Sequence, residues 1–233
     1  MAKKFHGYLI EQLQQEIGYR TVVRWLQDKK FRLKVPRSWP NGQDEAQRGP
    51  FVKKLVTYLS DPEIDLWYGD ESRIEGDPRP PGRRWAKRGE KIRQPYQGTH
   101  IRRNVTGMVG PRTGEFYSLI FTHSDTFTFQ YFLDQANQDV IFERPRYLLI
   151  VDNASWHRSK SLNWGNFEPI FLPPYSPDLN PIERLWLLMK GEWFSDFFAK
   201  SKDQLIDHLC GALNWVLDRK NQDRKTCAIR TQL

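Results

Sequence analysis

Residues 147–152 are Tyr-Leu-Leu-Ile-Val-Asp, an apolar run that ends at an acid. An uninterrupted apolar run of this length is typical of a strand that is covered on both faces, as in the middle of an α/β sheet. An acid directly after such a strand loses water, which is costly unless a cation or hydrogen-bond donors compensate. The run therefore predicts a central strand, and Asp152 is a candidate for either a structural or a functional carboxylate.

Further strands are predicted on both sides of this run. Residues 64–70 alternate in the manner of a strand that ends at Asp70. The Gly-Pro-Arg-Thr-Gly sequence at 110–114 is a strong hairpin signal between two β-prone runs. The two runs are residues 104–109 and 115–122, and a later strand is predicted over residues 167–172. Together with the helices described next, the strands predict a mixed α/β domain.

The last third of the chain has the pattern of helices. Asn180 and Pro181 suit the N-cap and first position of a helix over residues 182–190. Ser201, followed three residues later by Gln204, resembles a capping box for a helix that runs to about residue 217. The face of that helix predicted to be buried consists of Leu205, Leu209, Ala212, Leu213 and Val216.

The N-terminal segment is predicted to contain two short helices, over residues 8–30, that are separated at Gly18. The pair resembles a helix-turn-helix, in which basic side chains of the second helix meet phosphates and base edges. An ordinary helical hairpin with a solvated basic face explains the same residues equally well. The basic residues in and after the second helix are Arg20, Arg24, Lys29 and Lys30.

The overall charge favours a nucleic-acid partner, since the formal net charge is +8. The excess of Lys and Arg is concentrated in residues 1–60 and 79–103, whereas the remaining chain is acidic. Cys210 and Cys227 lack the spacing of a zinc site or a disulfide framework. A membrane-spanning helix needs about 20 apolar residues, and no apolar run comes near this length. A cytoplasmic protein without a membrane partner is therefore expected.

Three acids at the ends of predicted elements are candidate ligands of divalent metal ions. Asp70 and Asp152 follow strands, and Glu183 lies in the first turn of a helix. Phosphodiester cleavage requires an activated oxygen nucleophile and stabilisation of the leaving oxygen, and two divalent ions about 4 Å apart provide both. Each acid also has a structural explanation: a solvated turn for Asp70, compensated burial for Asp152, and a capping or helix-dipole role for Glu183.

The residues around these acids resemble the motifs of a known family. DNASWH at 152–157 and LPPYSPDLNPIERLW at 172–186 are similar to the second and third acidic motifs of the mariner-superfamily transposases, in particular their bacterial insertion-sequence branch. WYGDES at 67–72 resembles the first acidic motif, and RWAKRG at 84–89 resembles the basic segment that follows it. The likeness extends from about residue 8 to about residue 217.

The resemblance implies a ribonuclease-H-like fold of the retroviral-integrase kind: a mixed α/β sheet flanked by helices, with a small N-terminal helix-turn-helix remnant. It implies that Asp70, Asp152 and Glu183 bind two Mg²⁺ or Mn²⁺ ions, one at the attacking oxygen and one at the leaving oxygen. His157 matches the histidine that follows the second acid in the family. Whether it orients a neighbour, touches phosphate, or is simply packed or solvent-facing is left open by the sequence.

The implied activity is cleavage and strand transfer at the terminal inverted repeats of a mobile element. Its partners are then double-stranded DNA, both the element's ends and the target, and a second copy of the chain in a DNA-bound homodimer. A nucleoid-associated location in the cytoplasm follows. The residues expected to contact DNA are Arg20, Arg24, Lys29, Lys30, Arg83, Arg84, Lys87 and Arg88.

The predicted organisation has four parts. Residues 1–35 form a partial helix-turn-helix DNA-binding segment, 36–50 a linker, 51–220 the ribonuclease-H-like catalytic domain, and 221–233 a polar tail. Two alternatives to an active transposase remain at this point. One is a ribonuclease-H-like nuclease, because the same acids can hydrolyse as well as transfer. The other is a catalytically inactive DNA-binding remnant, because the segment between Asp152 and Glu183 is a few residues shorter than is usual in the family.

Overall fold

The N-terminal unit of the protein is a pair of helices. A computed structural model describes residues 2–32, 42, 44–77, 98 and 101–228. The chain divides into two compact units, Met1–Trp39 and Pro40–Leu233. The first contains α1 (Ala2–Leu13) and α2 (Tyr19–Asp28), and Gly18 is the N-cap residue of α2. The prediction of two helices separated at Gly18 is confirmed.

The second unit is built on one five-stranded sheet. Its elements are α3 (Glu45–Ser60), β1 (Ile64–Glu75), β2 (Arg102–Gly110), β3 (Glu115–Phe121), α4 (Thr126–Asp139), β4 (Arg146–Val151), β5 (Phe167–Phe171), a 3-10 turn (Pro177–Leu179), α5 (Ile182–Phe194), α6 (Lys202–Leu217) and α7 (Lys220–Thr226). The strand order is β3-β2-β1-β4-β5. The β1–β4 and β4–β5 pairs are parallel, and the β1–β2 and β2–β3 pairs are antiparallel. The predicted mixed α/β class is confirmed. The described part of the chain contains no helix long and apolar enough to cross a membrane.

Helices cover both faces of the sheet. Successive residues of a strand point to opposite faces, so Leu148 and Ile150 of β4 pack with α5 and α6, whereas Leu149 and Val151 pack with α4. All four side chains are fully buried, which explains why this run contains no polar position. On α6 the face predicted from the sequence is the buried one: Leu205, Leu209, Ala212, Leu213 and Val216.

β1 is longer than the sequence predicted. The strand was expected to end at Asp70, but it continues to Glu75. Residues 64–68 pair with β4, and residues 68–75 pair with β2. The pairing with antiparallel β2 therefore continues past the point where the pairing with parallel β4 ends. Asp70 therefore lies within β1, just past the end of its pairing with β4.

Helices extend into two segments that were predicted as irregular chain. α3 begins at Glu45, inside the predicted linker, because the Asp44 side chain caps the helix by accepting a hydrogen bond from the backbone N–H of Ala46. α7 occupies residues 221–226 of the segment that was predicted as a polar tail, 221–233. That prediction missed two buried residues, Asp223 in α7 and Cys227 directly after it.

Candidate active site

Asp70 faces the helical layer that contains α5. It has the same parity in β1 as Leu66 and Tyr68, whose side chains pack with α5 and α6. Its cross-strand partner on β2 is Gly107. A Cβ atom at Gly107 would lie 2.7 Å from the ring of Trp186 in α5. The missing side chain therefore lets α5 approach the sheet beside Asp70.

Asp152 lies next to Asp70 because their strands are parallel. Tyr68 of β1 pairs with Ile150 of β4. Asp70 and Asp152 each come two residues after this pair, at the same end of the two neighbouring strands. The sequence prediction that each of these acids ends a strand is correct for Asp152, which directly follows β4. It is wrong for Asp70, because β1 continues to Glu75.

Glu183 lies in the first turn of α5, and the segment before it is attached to β1. The side-chain amide of Asn180 donates a hydrogen bond of 3.1 Å to the carbonyl oxygen of Gly69. Gly69 directly precedes Asp70, so this bond brings the start of α5 to the same point of the sheet. Asn180 was predicted to be the N-cap residue of α5. That prediction is wrong by one position, because its side chain is bonded to β1 and Pro181 is the N-cap residue.

The electrostatics show that the three acids lie within range of one another's charges. Burial raises the pKa of the Asp70 carboxyl group well above its ordinary value, and the charges of Glu183, Glu71 and Asp152 raise it further. The pKa of Glu183 is also raised, by partial burial and by the charge of Asp152, against the attraction of Lys190. Asp70 is therefore a carboxyl group surrounded by negative charge.

The donor set fits a divalent cation in chemistry and in charge. Three carboxylates supply the hard oxygen ligands that Mg²⁺ and Mn²⁺ prefer, and a cation would offset their mutual repulsion. Among the described residues, no group of three or more His, Cys, Asp or Glu side chains is already arranged to hold an ion. Binding therefore requires these carboxyl groups to turn toward one another, a movement that their repulsion opposes until a cation is present.

His157 joins Asp152 to Glu71. Its Nδ1 lies 2.7 Å from Asp152 Oδ1, and its Nε2 lies 3.0 Å from Glu71 Oε1. Burial of the ring lowers its pKa, but the hydrogen bonds to Asp152 and Glu71 outweigh that effect and raise the pKa to about 9. Although burial acts in the opposite direction, the hydrogen bond to His157 lowers the pKa of Asp152. Since both ring nitrogens face carboxylates, both donate, and His157 is an imidazolium at neutral pH.

An ion pair beside the site, formed by a buried arginine and a partly exposed aspartate, was missed by the sequence analysis. Arg48 of α3 donates from Nη1 to Asp178 Oδ1 at 3.0 Å, and its Nη2 donates to Asp178 Oδ2. Arg48 is only 6% exposed, and Asp178 belongs to the 3-10 turn that precedes α5. The pair therefore attaches α3 to the segment that leads to Glu183.

The residues predicted to contact DNA are described in part. Arg20 and Arg24 of α2, and Lys29 and Lys30 after it, are all exposed. Exposure suits a DNA-contacting helix and a solvated basic face equally, so this assignment stays a prediction. The other four predicted DNA-contacting residues lie outside the described residues: Arg83, Arg84, Lys87 and Arg88.

Comparison with protein families gives two matches. Residues 65–206 match the family described as DDE superfamily endonuclease, a segment that includes all three acids. Residues 2–55 match the family described as winged helix-turn helix. This second match extends through the predicted linker into α3, so it covers more of the chain than the predicted helix-turn-helix remnant.

Comparison with individual proteins agrees with the family matches. An uncharacterised protein of Sinorhizobium fredii (strain NBRC 101917 / NGR234), y4pE/y4sA, is 34% identical over 116 residues, which are 49% of this chain and 85% of that protein. The crystal structure of the mariner Mos1 paired end complex with Mg has a TM-score of 0.71, at 17% identity over 96% of this chain and 74% of that one. For the Mos1 strand transfer complex the TM-score is 0.69, at 18% identity, with 95% and 73% covered. The predicted ribonuclease-H-like fold is confirmed.

Proposed function

The chain belongs to the DDE superfamily endonuclease family, and on this basis we propose that it is a transposase that cleaves and transfers DNA strands at the inverted-repeat ends of a mobile element. Membership in the family implies the use of a divalent metal ion. The mariner-like motifs at 67–72, 152–157 and 172–186 support this narrower assignment. So does the likeness of the fold to the Mos1 paired end and strand transfer complexes.

One observation carries the proposal. Three acids that are remote in the sequence, Asp70, Asp152 and Glu183, come from two neighbouring strands and from the helix attached beside them, and their charges act on one another. A fold that needed these acids only for solubility would gain nothing by crowding them, because like charges in a partly buried place are destabilising. Their placement is therefore best explained by a cationic ligand.

In the proposed mechanism Asp70, Asp152 and Glu183 would hold two Mg²⁺ or Mn²⁺ ions. When bound, these ions would supply activation of the attacking oxygen and stabilisation of the charge on the leaving oxygen. The rigid elements that carry the acids fix their backbone positions: Asp70 within a paired strand and Glu183 on a helix whose start is bonded to that strand. Lys190, two turns along α5, attracts the Glu183 carboxylate. Its charge thereby offsets part of the effect of burial and of Asp152 on the pKa of Glu183.

DNA is held, in this proposal, by the N-terminal segment and by the basic residues after β1. The match to the winged helix-turn helix family over residues 2–55 supports the former. We propose the division into a DNA-binding segment, 1–35, a linker, 36–50, a catalytic domain, 51–220, and a polar tail, 221–233, although α3 and α7 extend into the linker and the tail. We also propose a homodimer on paired element ends and target DNA, and a nucleoid location.

The test is nicking of DNA that carries the terminal repeats of the element, measured with purified protein in Mn²⁺ and in Mg²⁺. We expect metal-dependent nicking at the repeat ends that is abolished by Asp152→Ala without loss of DNA binding. The matched control is Asp203→Ala, which removes an exposed acid from the first turn of α6 and is expected to nick as the unmodified protein does. Equal cleavage of unrelated DNA would support a ribonuclease-H-like nuclease instead. Binding without cleavage would support an inactive DNA-binding remnant, and both results contradict the proposal.

A further inference from the structure

Glu71 has a position that neither the family match nor the proposed triad explains. It directly follows Asp70 in β1, and successive strand residues point to opposite faces of the sheet. Asp70 faces the layer with α5, so Glu71 faces the layer with α4. There its Oε1 lies 3.0 Å from Nε2 of His157, and its side chain is only 13% exposed. A nearly buried acid is costly unless it is paired, and the pairing here is with His157.

His157 transmits this contact to the end of β4. Its side chain is fully buried, and its ring packs on Phe129 of α4 with 4.3 Å between ring centroids. With Nε2 held by Glu71, the orientation of the ring is fixed, and Nδ1 is directed at Asp152 Oδ1 at 2.7 Å. A histidine held by one carboxylate while it bonds a functional carboxylate is a recognised way to fix the geometry of a metal site.

The Asp152 side chain depends on this support. It lies beyond the last residue of β4 and is 53% exposed, so packing alone does not fix its rotamer. The hydrogen bonds from His157 Nδ1 and from the backbone N–H of Ala154, the latter 2.9 Å long, both end on Oδ1. Two donors on one oxygen set the direction of the carboxyl group and leave Oδ2 as the oxygen that can turn to an ion.

We propose that Glu71 is a positioning residue, which acts through His157 to hold Asp152 in the orientation that binds the metal ions. This inference rests on the proposed function, since it assigns a role in the same site. Strand β1 thus contributes two residues to the site. Asp70 is a ligand on one face of the sheet, and Glu71 on the other face supports Asp152, the ligand that follows β4.

The test measures Mn²⁺ binding to the full chain without DNA, from the loss of the free Mn²⁺ signal in electron paramagnetic resonance. Glu71→Ala is expected to raise the half-saturating Mn²⁺ concentration by about tenfold, the lower end of the range for residues that support metal ligands. Glu71→Gln keeps a hydrogen-bond acceptor and the shape of the side chain, and is expected to restore most of the affinity. The control is Glu75→Ala on the same strand, an exposed acid paired with Arg73, which should leave the concentration unchanged.

A double variant separates positioning from a general effect of charge. In a His157→Phe background, Glu71→Ala should cause no further change, because the path to Asp152 is already broken. An equal additional loss in that background, or unchanged Mn²⁺ binding in a Glu71→Ala protein with native circular dichroism, would overturn the inference and leave the proposed function standing. Failure of the unmodified chain to bind Mn²⁺ would overturn both.

Discussion

Two groups of charged side chains each include a residue at or just before the start of α5, Asp178 in one and Glu183 in the other, and their charges are balanced in different ways. Arg48 and Asp178 form a bidentate pair, so each charge is met by its opposite within the chain. Asp70, Asp152 and Glu183 are all acids, and the pKa of Asp70 is raised by burial and by its neighbours. The first group stabilises the fold by itself. The second costs stability until something positive binds.

The difference separates structural from functional charge in this molecule. A balanced pair is explained by the fold alone, because it attaches α3 to the segment before α5. An unbalanced group is not explained in that way, and it lies where the parallel strands β1 and β4 part. This comparison of the two groups predicts that substitutions in them have opposite effects on stability.

The largest effect is expected for Asp70→Asn. It removes a metal ligand, so the nicking rate should fall on the order of 100- to 1000-fold, as when a group that stabilises transition-state charge is lost. It also removes a buried acid whose ionisation is opposed by burial and by the neighbouring acids, so without metal the free energy of unfolding at pH 7 should rise. Urea unfolding with and without Mg²⁺ measures this. The expected opposite effects on stability would be contradicted if the variant is less stable than the unmodified protein, or if Mg²⁺ stabilises both proteins equally.

A second expected effect concerns Asp223, a buried acid outside the proposed triad. Both of its carboxylate oxygens lack a hydrogen-bond partner within the described residues. Burial raises its pKa from 3.8 to about 6, against the attraction of Arg219. Because the folded-state pKa is raised, its contribution to stability is complete below about pH 4 and is lost as the pH rises through about 6.

Asp223→Asn should therefore flatten the decline of stability between pH 4 and pH 7. The gain at pH 7 is up to about 3 kcal/mol, because one pKa unit corresponds to about 1.4 kcal/mol. Urea unfolding of both proteins at the two pH values measures it, and nicking at pH 7 should change little. A strong loss of nicking with unchanged stability would show that unbalanced buried charge is functional at this position too.

The smallest effect is expected for the balanced pair. Arg48→Ala should lower the free energy of unfolding by about 2 kcal/mol, less than for a fully buried pair because the Asp178 side chain is 36% exposed. Arg73→Ala, which breaks the exposed pair with Glu75, is the matched control and should cost about 0.5 kcal/mol or less. Equal losses in the two variants would mean that burial of Arg48 does not matter.

The elements that the sequence predicted well are those whose packing leaves a periodic pattern. β4 is buried on both faces and is therefore a continuous apolar run, and the five apolar positions predicted for α6 are its buried face. The start of α3 was missed because Asp44, its cap, lies among Gly and Pro residues that favour a linker. α7 has almost no apolar residues, so its pattern could not be distinguished from that of a solvated tail.

The site was predictable only in part, for a similar reason. Single acids at the ends of elements, together with the family motifs, indicated Asp70, Asp152 and Glu183. Their supports could not be found in this way, because Glu71 and His157 are 86 positions apart and Arg48 and Asp178 are 130 positions apart. Polar pairs at such separations leave no local pattern. Glu71 had one usable signal, which is that it directly follows Asp70 within the first motif.

We propose that Asp70, Asp152 and Glu183 come together around divalent ions. Anomalous scattering from Mn²⁺ in crystals of the protein tests this directly. We predict Mn²⁺ peaks bounded by the three carboxyl groups, with Asp152 still bonded to His157 through Oδ1. Mn²⁺ bound elsewhere, or Mn²⁺ bound by Asp70 and Asp152 without Glu183, would contradict this proposal.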